Sequence, residues 1–141
     1  MLLSVIAAIN LRYYFVVYTP TLVYGNPTAE VATVLGRHLV EREKPCVVYF
    51  HAPPVMYWDL GNLRFLLRVY GHEIQGVDVY PPGEGQPPLP DLQRATCFVF
   101  LPERLGELEN IHSQYPDGEE TRVYSKADGR LLYVMYRVSP P

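Results

Sequence analysis

Residues 46–71 read CVVYFHAPPVMYWDLGNLRFLLRVYG, and their change of period decides the fold class. The opening run, 46–50, is uninterruptedly apolar, as a strand covered on both faces requires. It ends in His51, Pro53 and Pro54, then passes a cluster of Met56, Tyr57, Trp58 and Asp59. Beyond that, Leu60, Leu63, Leu67 and Tyr70 recur at helical spacing, and Gly71 is well placed to stop the helix. A buried strand followed by an amphipathic helix is the unit from which parallel sheets are built.

The same alternation extends both ways. On the amino side, Asn26-Pro27 reads as an N-cap with a first-turn proline. Val31, Val34, Leu35 and Leu39 follow at helical spacing until Lys44-Pro45. On the carboxyl side, Ile74, Val77 and Val79 suggest a weaker strand with Gly76 as a bulge. Residues 80–90, YPPGEGQPPLP, hold five prolines and exclude helix or interior strand. CFVFL at 97–101 is a second buried strand. Pro102-Glu103 then opens a helix carrying Leu105, Leu108, Ile111 and Tyr115, closed by YPDG at 115–118. TRVYS and RLLYVMYRV flank Asp128-Gly129, a strong hairpin signal. The expected fold is a three-layer, Rossmann-like α/β sandwich with a mostly parallel sheet and a C-terminal antiparallel hairpin. Residues 21–141 form this single domain, and residues 1–20 an apolar N-terminal segment.

Composition narrows the function. The chain has 141 residues, 48% hydrophobic, with a net charge of −3 and no basic stripe. Nucleic-acid partners therefore have no electrostatic footprint. MLLSVIAAI at the start is uncharged but falls short of the about 20 residues a spanning helix needs. It reads either as a short buried segment or as the remnant of a membrane helix. Cys46 and Cys97 are read as small buried hydrophobes; a disulfide requires their strand starts to be neighbours. No CxxC or Cys/His spacing supports a metal, and the four histidines fall on different elements.

Ligands of open α/β sheets bind beyond the carboxyl ends of the strands, which directs attention to residues 51–59, 80–90 and 102–104. Phosphate cradles of the usual kind are excluded, since prolines replace the glycines and amides such turns need. No serine lies in a GxSxG elbow. His51 and Asp59 are a conceivable base and orienter, without a nucleophile in sequence. Glu103 suits a first helical turn, and Arg104 is expected to pair with Asp59 or Asp78. Met56, Tyr57 and Trp58 serve either to stack on a sugar or to cover the core.

Several stretches carry a family resemblance. NLRYYF at 10–15, YTPTLVYGNPTAEVATVLGRHL at 18–39, VYFHAPPVMYWDLGNLRFL at 48–66, VFLPERLGELENIHSQYPDG at 99–118 and LLYVMYRV at 131–138 follow one another in order. Together they resemble the soluble C-terminal domain of polytopic GT-C glycosyltransferases, of the protein O-mannosyltransferase and aminoarabinose transferase families. The resemblance implies an extracytoplasmic domain beside a membrane body that takes sugar from a lipid-phosphate donor. The resemblance implies acidic catalytic residues in an extracytoplasmic loop between early membrane helices, a part with no counterpart in these motifs, so no catalytic residue is carried over.

The sequence thus points to a non-catalytic accessory or recognition domain, without cofactor or metal, at the outer face of a membrane. Its partners would be a saccharide or the membrane glycosyltransferase body, with the N-terminal segment giving membrane association. The candidate ligand residues are His51, Tyr57, Trp58, Asp59, Arg64, Glu103 and Arg104, with Trp58 and Tyr57 stacking on the sugar and Asp59 and Arg64 taking hydroxyls. Two other classes stand beside it. One is a small soluble enzyme or ligand-binding protein using residues 51–59; the other is a protein-interaction module using the final hairpin edge or residues 1–20.

Overall fold

In the computed structural model the described residues are 2–19, 26–41, 46–70, 74–80, 90 and 93–140. The chain begins with helix α1 (Leu2–Arg12), which continues as a π-helical stretch, Tyr13–Tyr18, and buries no residue. Leu3, Ile9, Phe15 and Val16 are all more than half exposed. Among the described residues, no helix is long and apolar enough to cross a membrane.

Helix α2 (Pro27–Val40) starts where the sequence places it. The Asn26 side chain accepts a hydrogen bond from the Thr28 N–H at 2.8 Å, and Pro27 occupies the first turn. That cap satisfies one of the helix's orphan donors. Strand β1 (Val47–His51), helix α3 (Gly61–Val69), strand β2 (Gly76–Asp78) and strand β3 (Thr96–Phe100) come next. The single helix expected after Pro102 is instead two pieces. A 3-10 turn spans Pro102–Glu107, with non-helical φ at Arg104, and α4 (Leu108–Gln114) follows it. Strands β4 (Glu119–Tyr124) and β5 (Leu131–Val138) close the chain. Gly129, at φ 75°, supplies the left-handed residue their turn requires.

The five strands form one open sheet in the order β2-β1-β3-β5-β4. β1 pairs in parallel with β2 and β3, whereas β5 pairs antiparallel with β3 and β4. The sheet is therefore evenly split rather than mostly parallel. The terminal hairpin joins it through β5, which lies between β3 and β4.

Alternation along the central strands divides the core into two clusters. Val48, Phe50, Cys97, Val99, Tyr133 and Met135 pack with Leu35, Leu39, Leu63 and Leu67 of α2 and α3. Tyr49, Phe98, Phe100, Val134 and Tyr136 face the other way, toward Leu105, Leu108 and Ile111. β3 is buried along its whole length, which accounts for its unbroken apolar sequence.

Cys46 and Cys97 are bonded to each other as a disulfide, with Cα atoms 5.8 Å apart. The reading of two separate buried thiols is corrected here: parallel pairing of β1 and β3 sets Val48 opposite Cys97 and makes the strand starts neighbours. In the chain-entropy account, a crosslink closing a loop of this size stabilises the fold by about 4 kcal/mol.

Candidate functional site

The polar residues named from sequence divide between two places. At the carboxyl ends of β1 and β3 lies a closed network around Arg104, which is 6% exposed. Its Nε donates to Glu107 Oε1 and its Nη2 to Glu107 Oε2, both at 2.6 Å. Its remaining donors reach the carbonyls of Val79, Tyr80 (3.2 Å) and, more weakly, Ala52 (3.4 Å). One guanidinium thus joins the ends of β1 and β2 to the 3-10 turn. The planar fork of arginine suits it to such bidentate work.

His51 completes the network: its Nδ1 lies 2.9 Å from Glu107 Oε2. Its ring packs on Phe100 with centroids 4.2 Å apart. Burial lowers the imidazole's pKa, and the Arg104 charge acts the same way; the hydrogen bond and charge of Glu107 oppose them without reversing the result. Glu107 itself would be raised by burial. Hydrogen bonds from Arg104 and His51 overcome that and hold its carboxyl below the usual range. A neutral His51 beside an ionised Glu107 must carry its proton on Nδ1, because the carboxylate can only accept.

Asp59 takes no part in this network. It pairs with Arg64 at 2.9 Å on the surface, so His51 and Asp59 do not form the expected base and orienter. Arg104 pairs with neither Asp59 nor Asp78; its carboxylate partner is Glu107, one 3-10 turn further along. Asp78 accepts the Trp58 backbone N–H at 2.6 Å. Burial raises the pKa of Asp78; the Trp58 N–H lowers it and the nearby charge of Asp59 raises it.

Trp58 shows why Gly76 is needed. A Cβ at Gly76 would come within 1.9 Å of the indole, so the ring lies directly on the β2 backbone. Gly76 is thus a seat for Trp58 and not a bulge. Met56 is buried in the core and Trp58 packs against it half-buried. Tyr57 is half exposed, and Glu103 is exposed with no ion pair among the described residues.

The second place is a groove of about 1160 Å³ at the opposite end of the sheet. Trp58, Asp59, Arg64, Arg68, Cys46, Arg94 and Arg137 are among the residues that line it. Its floor is formed by residues that precede β1 and β3 and follow β5. Of the sequence candidates, Trp58, Asp59 and Arg64 are brought together here, while His51 and Arg104 belong to the closed network. Glu107, Arg68, Arg94 and Arg137 were not singled out. The i, i+4 spacing of Arg64 and Arg68 on one helix face was the available sign.

Comparison with known proteins adds no relative. No family model, curated protein or solved structure matches the chain.

The remaining sequence candidates fall elsewhere. His112 lies 3.2 Å from Glu120, and no group of histidine, cysteine and carboxylate among the described residues could hold a metal. The Lys44-Pro45 and Gly71 helix stops, His72, and the proline-rich 81–89 with its GEGQ glycines lie outside the described residues.

Proposed function

We propose that this chain is a non-catalytic recognition domain, related to the C-terminal domain of a GT-C membrane glycosyltransferase and acting outside the cytoplasm. Its fold is read as a three-layer Rossmann-like sandwich, in keeping with helices packed on both faces of the sheet. The observation that carries the recognition reading is the contrast between the two polar places. The titratable His51 is committed to a buried network, whereas Trp58, Asp59 and Arg64 line an accessible groove. An aromatic wall with polar partners around it suits a saccharide.

Two further features support the setting. The Cys46–Cys97 bond fits an oxidising compartment. The uncovered apolar face of residues 2–18 fits association with a membrane or with the glycosyltransferase body, aided by Tyr13, Tyr14 and Tyr18.

Trp58 is the only tryptophan, which makes the test direct. Titration with neutral and lipid-linked oligosaccharides is expected to change its fluorescence saturably, and Trp58→Phe to abolish that signal. Calorimetry showing no binding of any oligosaccharide would sink the reading.

One observation favours a second reading, a small enzyme that uses His51. Glu107 fixes the Nδ1 proton and leaves the Nε2 lone pair unprotonated, as a general base requires, while burial weakens its basicity. A turnover abolished by His51→Gln in folded protein would establish it; unchanged turnover in that variant would reject it.

A further inference from the structure

Among the described residues, the groove gathers four arginines, Arg64, Arg68, Arg94 and Arg137, and one carboxylate, Asp59. Asp59 neutralises Arg64 alone. Among the described residues, Arg68, Arg94 and Arg137 have no carboxylate partner. Glu119 stands opposite Arg137 across the β4–β5 ladder but makes no ion pair with it.

The grouping is set in a chain of net charge −3. Outside the groove, Arg104, Arg122 and Arg130 hold a carboxylate, while Arg12 and Arg37, on separate helices, hold none among the described residues. Arg64 and Arg68 are one turn apart on α3, a spacing at which like charges repel. Arg94 and Arg137 come from two other elements, so the cluster does not follow from one helix's surface pattern. Positive charge lining a cleft attracts an anion, because the cleft's low-dielectric walls focus the field.

We infer that the groove binds a soluble phosphorylated saccharide, its phosphate held by Arg68, Arg94 and Arg137 and its ring set against Trp58. Three guanidinia with no carboxylate partner among the described residues match a phosphate dianion better than a single carboxylate, and each planar fork can engage two phosphate oxygens. The volume of about 1160 Å³ accommodates a ligand of that size. This inference rests on the recognition reading for the location of the site and adds the charge of the ligand.

The experiment uses the full chain with its disulfide intact, at fixed ionic strength. Trp58 fluorescence and calorimetry are recorded with glucose 6-phosphate, glucose, inorganic phosphate and sulfate. Glucose 6-phosphate is expected to bind at least about tenfold more tightly than glucose or sulfate. The double variant R68Q/R94Q is expected to lose about tenfold per guanidinium removed, the usual worth of a charged hydrogen bond. Both side chains are exposed, so the variant is expected to fold, with circular dichroism as the check.

Equal binding of glucose and glucose 6-phosphate would overturn the inference while leaving neutral saccharide recognition standing. Phosphate binding unchanged in R68Q/R94Q would overturn the assignment to this groove. Capture by phosphatidic acid vesicles without binding of glucose 6-phosphate would overturn the soluble ligand. Silence toward all four probes would also overturn it, and the titration with neutral oligosaccharides then judges the recognition reading separately.

Discussion

The two ends of the sheet handle charge in opposite ways. Beyond the carboxyl ends of β1 and β3, Arg104, Glu107 and His51 saturate one another and nearby carbonyls. At the other end, Arg68, Arg94 and Arg137 border an open groove and have no carboxylate partner among the described residues. A buried charge must be fully paired to be tolerated, and pairing leaves it little capacity for a ligand. Solvated arginines can stay unpaired at small cost and remain available. The usual expectation for an open α/β sheet puts the ligand at the carboxyl ends. In this chain that end is latched, and the arginine-lined groove lies opposite.

Replacing Arg104 breaks the comparison most severely. Arg104→Ala is expected to destabilise the fold by about 3–5 kcal/mol, because it leaves Glu107 half-buried without its main partner. Urea denaturation measures this, and a loss below about 1 kcal/mol would show that the network is not a latch. Reduction of the disulfide, or Cys46→Ala with Cys97→Ala, is expected to cost about 4 kcal/mol by the same measurement. Gly76→Ala is expected to cost about 1–3 kcal/mol through overpacking against Trp58, and to shift the indole emission. An unchanged spectrum would mean that the ring does not sit on β2.

Acid sharpens the contrast. His51 has a lowered pKa when folded, so below about pH 6.5, its ordinary value, the unfolded chain takes up the proton first. Stability then falls as pH falls. Glu107 is also lowered, so a further loss begins below its ordinary value and continues toward its folded one. Both groups act in the same direction; Asp78, with its raised pKa, offsets part of the loss at the acid end. Denaturation midpoints at pH 7.5, 5.5 and 4 should decline in that order, and His51→Gln should remove the first step. The smallest effect belongs to the groove: R68Q/R94Q is expected to change stability by no more than about 0.5 kcal/mol. A larger loss would mean that these arginines are structural after all.

Much of the fold was legible because it follows from local pattern. The unbroken apolar runs of β1 and β3, the Asn26 cap and the Asp128-Gly129 turn each have a short-range cause. The candidate site was legible only in part. Trp58, Asp59 and Arg64 are close in sequence and stay together in space. Arg104 and Glu107 are three residues apart, yet nothing local reveals that they lock onto His51, because that contact depends on β1 and β3 lying side by side. The break in the helix after Pro102 was equally hidden, since Leu105, Leu108 and Ile111 fit a continuous helical stripe. Two conformations with nearly the same period both bury those residues against the sheet.

The sequence by itself determined the order of the strands and helices from residue 26 onward and most of their kinds, the broken helix after Pro102 excepted, since period and capping are properties of neighbouring residues. It also placed an aromatic, polar connection between a buried strand and a helix. Only the tertiary structure decided that Cys46 bonds Cys97 and that the carboxyl end of the sheet is closed by Arg104. It alone brought arginines from α3, from the approach to β3 and from β5 to one groove. Those outcomes depend on strand order and register, which bring together residues far apart in the chain, and no local pattern encodes that proximity.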